Sequence, residues 1–142
     1  MLRTEQSRIL LVDPNQYMRR ITRSVLAAQG YKDIVEAIDG EDALLSLKNS
    51  RPEILITELS LPLLDGFQLA KIIRHYLTTD SYLPILATTN IPTRGKVMQA
   101  QANGIDLVVA KPFSPTILRE RLSYFVDSRF LAKRLLITCL RS

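Results

Sequence analysis

The stretch Pro52-Glu53-Ile54-Leu55-Ile56-Thr57-Glu58-Leu59-Ser60-Leu61-Pro62, followed by Asp65-Gly66, decides the fold. Residues 54–57 form an unbroken run of apolar and β-branched side chains, without the alternation of a half-exposed strand. Such a run suits a strand covered on both faces, as in a parallel sheet. It ends on a carboxylate, Glu58. Asp65-Gly66 then opens a helical pattern through Phe67, Ala70, Ile73 and Leu77.

Working outward, the same unit recurs. Apolar runs at 9–12, 34–37, 85–88 and 105–110 read as four more strands, with helical patterns between them. Residues 15–29 set Met18, Ile21, Val25 and Leu26 on one stripe, and Gly30 follows as a helix terminator. Asp39 or Gly40 caps a helix carrying Ala43, Leu44 and Leu47. A shorter helix runs from Thr93 to Asn103 with Val97 and Ala100 facing inward, and Ser114-Pro115 opens the last one. Five β-then-α units joined by right-handed crossovers predict a doubly wound, five-stranded parallel α/β sheet. The expected division is one domain over residues 1–127 and a helical extension over 128–142.

Bulk properties narrow the function classes. A chain of 142 residues with 46% hydrophobic and 23% charged residues has ordinary globular composition. No apolar run is long enough to span a bilayer, and the first residues lack signal-peptide order, so a cytoplasmic protein is expected. The one cysteine, Cys139, excludes an internal disulfide, and no Cys/His spacing suggests a metal site. The net charge of +5 is local. Residues 1–110 balance four Lys and eight Arg against twelve acids, whereas 111–142 carry seven basic residues against Glu120 and Asp127. A basic helix face is the simplest source of that excess.

In an open α/β sheet, ligands sit beyond the carboxyl ends of the strands, where the strand order reverses. The strand ends here are Asp13-Pro14, Glu58, Thr89-Asn90 and Lys111-Pro112. Two carboxylates, a hydroxyl and an ammonium are thus expected to converge on one crevice. Asp65 reads as a helix cap, His75 as an exposed residue of the third helix, and Tyr17 as a packing residue near Asp13.

With these residues in place, the chain resembles the receiver domain of bacterial two-component response regulators, which has a flavodoxin-like topology. The segments carrying the resemblance are Ile9-Leu-Leu-Val-Asp-Pro-Asn-Gln-Tyr-Met-Arg-Arg20, Glu36-Ala-Ile-Asp-Gly-Glu-Asp-Ala43, and the opening stretch with Asp65-Gly66. Leu83-Pro-Ile-Leu-Ala-Thr-Thr89 and Asn103-Gly104 through Lys111-Pro-Phe113 complete the set. The resemblance covers about residues 7–127. It implies phosphoryl transfer from a histidine kinase to an Asp ending the third strand, with Mg²⁺ held by that Asp and an acidic pair ending the first. The cation offsets the charge of the incoming group. A hydroxyl after the fourth strand and a Lys after the fifth then hold the phosphoryl oxygens, and the Lys–Pro bond is expected to be cis.

Asp13, Thr89 and Lys111 match that pattern, and three positions depart from it. Glu58 occupies the acceptor position, with about 1.5 Å of added reach that moves the nucleophile out of line. Pro14 replaces the second acid, leaving Asp13 and Glu58 as the metal candidates, and Mg²⁺ tolerates the loss of an oxygen ligand poorly. Val108 stands where an aromatic residue changes rotamer on phosphorylation; Val has neither the hydroxyl nor the freedom. The expectation is a degenerate receiver, or pseudo-receiver: no enzyme and no cofactor, with Glu58 reaching toward Lys111 and Thr89 where phosphoryl oxygens would sit.

The extension carries Phe130, Leu131, Leu135 and Leu136 beyond the usual end of a receiver, with no Pro or Gly before them. One continuous helix from Pro115 to about Leu140 would approach 40 Å at about 1.5 Å per residue. An apolar stripe of that length suits a homodimer or a signalling protein partner. A conventional receiver using Glu58 is the second reading. Nucleic-acid binding through the basic terminus is the third, without a helix-turn-helix or aromatic platform to support it.

Overall fold

The computed structural model describes residues 7–77 and 82–125. Strand and helix alternate five times: β1 (Arg8–Val12), α1 (Gln16–Ala28), β2 (Asp33–Ala37), α2 (Gly40–Ser50) and β3 (Ile54–Glu58) come first. Then follow α3 (Gly66–Tyr76), β4 (Ile85–Thr89), α4 (Arg94–Ala102), β5 (Leu107–Ala110) and α5 (Pro115–Tyr124). All strand pairs are parallel, in the order β2-β1-β3-β4-β5. This is the doubly wound α/β sheet that the apolar runs predict. The order reverses at β1, so the crevice opens beyond the ends of β1 and β3.

Strand alternation divides the core in two. Leu10, Val12, Leu55, Ile85 and Ala87 pack with Ala43, Leu69, Ala70, Ile73 and Ala100 from α2, α3 and α4. Ile9, Leu11, Ile54, Ile56, Leu86 and Val109 pack on the other face with Leu26, Leu118, Leu122 and Phe125. Every residue of β3 and β4 is buried, as the unbroken run at 54–57 requires.

Each helix starts on a capping side chain that follows a strand end: Asn15, Asp39, Asp65, Thr93 and Ser114 accept a backbone N–H of the first turn. A cap of this kind contributes about 1 kcal/mol. At Gly66, a Cβ would stand 2.8 Å from the Glu58 carbonyl oxygen and 2.9 Å from Leu59 Cα. Only glycine lets α3 begin so close to the end of β3.

Local expectations shift in three places. β5 begins at Leu107 because the Ile105 N–H is taken by the Ala100 carbonyl, which closes α4. On α1 the inward stripe runs through Thr22 and Leu26, with Ile21 at the surface. Leu77 ends α3 as a partly exposed C-cap rather than a core residue. The extension over 128–142, with Phe130, Leu131, Leu135 and Leu136, lies outside the described residues. Among the described residues, no helix is long and apolar enough to cross a membrane.

Candidate functional site

Asp13 follows β1, Glu58 ends β3, Thr89 ends β4 and Lys111 follows β5, so the sheet delivers all four to one edge. The Lys111 ammonium occupies the centre. Its Nζ lies 2.5 Å from Glu58 Oε2 and 3.2 Å from Asp13 Oδ2. All three side chains are more than nine-tenths buried.

Each carboxylate oxygen has a partner. Asp13 Oδ1 accepts the Asn15 N–H at 2.8 Å, and Glu58 Oε1 accepts the Ser60 N–H at 3.3 Å. Glu58 Oε2 also accepts the Thr88 hydroxyl at 3.1 Å. Burial on its own pushes the Lys111 pKa down, and this is the largest single influence. The Glu58 hydrogen bond, the charges of Asp13 and Glu58 and the Asp13 hydrogen bond together outweigh it, leaving Lys111 above its ordinary value.

Glu58 therefore reaches Lys111 as expected, but its hydroxyl partner is Thr88 and not Thr89. Glu58 and Thr88 are opposed in the β3–β4 register, which puts their side chains on one face of the sheet. Thr89 Oγ1 instead accepts the Ile91 N–H at 3.2 Å and donates to the Ile91 carbonyl at 3.4 Å, holding the loop after β4. Adjacent hydroxyls at a strand end look equivalent in a sequence; only the register separates them.

Pro14 is exposed and adds no oxygen to the crevice. Val108 is half-buried against the α2–α4 face of the core. The Lys111–Pro112 bond is cis. His75 is exposed on α3. Tyr17 is 70% exposed on the first turn of α1, so it is a surface residue and not the packing residue expected.

The residues present do not fit the Mg²⁺ that the resemblance implies. Asp13 and Glu58 supply the carboxylates, and all four of their oxygens already accept hydrogen bonds. A divalent cation between them would meet the Lys111 ammonium, and Pro14 supplies nothing in exchange. Even a metal held through one or two carboxylates and several waters would have to compete with Lys111 for both of them, with no second acid at position 14.

A family model described as "Response regulator receiver domain" matches residues 9–123. The chain is 34% identical over 119 residues to chemotaxis protein CheY1 of Helicobacter pylori, covering 81% of this chain and 93% of that protein. It is 31% identical over 115 residues to chemotaxis protein CheY of Pseudomonas aeruginosa, covering 81% and 92%. Among solved structures, chemotaxis response regulator CheY4 of Vibrio cholerae superposes with a TM-score of 0.75 at 27% identity. That match covers 83% of this chain and 97% of the other.

Proposed function

The chain belongs to the response regulator receiver family, and from that premise we propose a stand-alone pseudo-receiver that signals through protein contacts without phosphorylation. Receivers are signal-transduction domains and not enzymes in the ordinary sense, and that much holds for this chain. The finer reading rests on one observation: the Lys111 ammonium is bound by both Glu58 and Asp13. In this proposal Glu58, the substituted acceptor, occupies with its own carboxylate the place where a phosphoryl group would meet Lys111. Signalling then needs no Mg²⁺. Thr89 keeps only its loop contacts, and Val108 relays no rotamer change.

The proposal places the signal on surfaces that a protein partner can reach in the cytoplasm. Residues 1–127 form its receiver unit and 128–142 its extension, through which Phe130, Leu131, Leu135 and Leu136 would pair two copies. Light scattering on the full chain and on a chain cut after Asp127 tests that pairing; equal monomeric masses would remove it.

The phosphorylation-independent core has its own test. The protein is mixed with Mg²⁺ and acetyl phosphate, and its intact mass is read over time. An unchanged mass is expected. A stable gain of one phosphoryl group, lost in Glu58→Gln, would instead establish a conventional receiver that accepts on glutamate.

A further inference from the structure

A second concave site lies outside the central crevice, on the far side of the first strand–helix unit. Gln16, Arg19, Arg20 and Arg23 of α1, Glu36 of β2 and Ile38 just after it line an open groove of about 440 Å³. Glu36 braces two of the arginines: its Oε1 accepts Arg19 Nε at 3.1 Å and its Oε2 accepts Arg23 Nη1 at 2.9 Å. Arg19 Nη1 also donates to the Asp13 carbonyl at 2.7 Å, and Arg23 Nη1 to the Ile34 carbonyl at 3.2 Å. These bonds fix both guanidinium groups against the sheet, and among the described residues the other N–H groups of each have no protein acceptor.

Arg20 is exposed and, among the described residues, pairs with no carboxylate. Three permanent cations face one acid, so the groove keeps an excess of two positive charges. Gln16 and Ile38 complete the lining, and Ile38, 52% exposed, is its apolar residue.

We propose that this groove binds a phosphate-bearing small molecule of the nucleotide class, with the phosphate on Arg20 and Arg23 and the base or sugar against Ile38. Guanidinium forks recognise phosphate oxygens in pairs, and two surplus charges match a dianionic phosphomonoester. The volume lies within the range of small-molecule sites, roughly 300–1,000 Å³. Inorganic phosphate would leave the Ile38 wall uncovered. A docked protein would need about 800 Å² per partner, far more than these six residues offer. The proposal is independent of the phosphorylation-independent reading of the crevice. Arg19 does link the two places, because it bonds both Glu36 and the Asp13 carbonyl.

The test is calorimetric titration of the full chain with adenosine 5′-monophosphate and, separately, with inorganic phosphate. The wild type is compared with Arg20→Ser and Ile38→Ser, both exposed positions where the fold tolerates change. Saturable one-site binding of the nucleotide is expected, weakened at least about tenfold by Arg20→Ser. Ile38→Ser should weaken the nucleotide and leave phosphate unchanged. Amide chemical shifts should move on α1 and around Ile38. Absence of saturable nucleotide binding, or unaltered affinity in Arg20→Ser, overturns the site. Equal affinity for nucleotide and phosphate with no effect of Ile38→Ser overturns the ligand class.

Discussion

Lys111 places its Nζ 2.5 Å from Glu58 Oε2, although β4 lies between their two strands in the sheet. The contact joins the ends of β3 and β5 across the crevice, and the 3.2 Å bond to Asp13 extends it to β1. A buried ion pair is weak evidence of net stabilisation, because desolvation offsets much of the attraction. Removing one partner is different, since it strands a charge that water cannot reach.

Lys111→Met should therefore destabilise the domain by about 3 kcal/mol, read from urea unfolding, because Glu58 and Asp13 lose their shared cation. The double variant Lys111→Met/Glu58→Met should lose less than the two single variants added together. An additive double variant would mean that the two side chains do not interact in solution.

Stability should also fall at alkaline pH through the same residue. The folded-state pKa of Lys111 is raised, so it binds its proton more tightly folded than unfolded. Its contribution is fully present below the unfolded value of about 10.4 and is lost as pH rises through the higher folded value. Urea midpoints measured from neutral pH to beyond that range should decline more in the wild type than in Lys111→Met, which removes the background from tyrosine ionisation.

Leu63 offers a stabilising change. It stands in the β3–α3 loop with φ 66° and is 91% exposed, so an apolar side chain is held in a left-handed conformation without burial. Asparagine tolerates that conformation far better than leucine. Leu63→Asn should raise stability by about 0.5–1 kcal/mol, read from the urea midpoint. A loss would show that Leu63 makes a contact that outweighs the backbone cost.

Much of this was legible in the chain. The runs at 54–57 and 85–88 are buried on both faces, and the caps at Asp39, Asp65, Thr93 and Ser114 sit where their residue types place them. The convergence of Asp13, Glu58 and Lys111 followed from strand ends alone. The exchange of Thr88 for Thr89 did not, because the β3–β4 register is a tertiary property. Nor did the groove on α1: nothing in the sequence alone sets arginines 19, 20 and 23 against Glu36, which lies on the neighbouring strand.

Two substitutions together should restore a metal site. Glu58→Asp alone shortens the reach to Lys111 but leaves Pro14 without an oxygen. Pro14→Asp alone adds a carboxylate beside an intact triad. Only the double variant should bind Mg²⁺ appreciably, with affinity at least about tenfold above either single one in calorimetric titration. Comparable binding by Glu58→Asp alone would remove Pro14 from the explanation.

On the proposed reading, Glu58 and Asp13 hold Lys111 where a phosphoryl group and its metal would otherwise act. The most direct measurement is the amide NMR spectrum of the wild-type chain before and after addition of Mg²⁺ with beryllofluoride, a mimic of the phosphoryl group. Superimposable spectra are expected, including the signals of Thr88, Thr89 and residues 107–111. Saturable shifts spreading from Glu58 to Thr89 and Lys111 would contradict that reading.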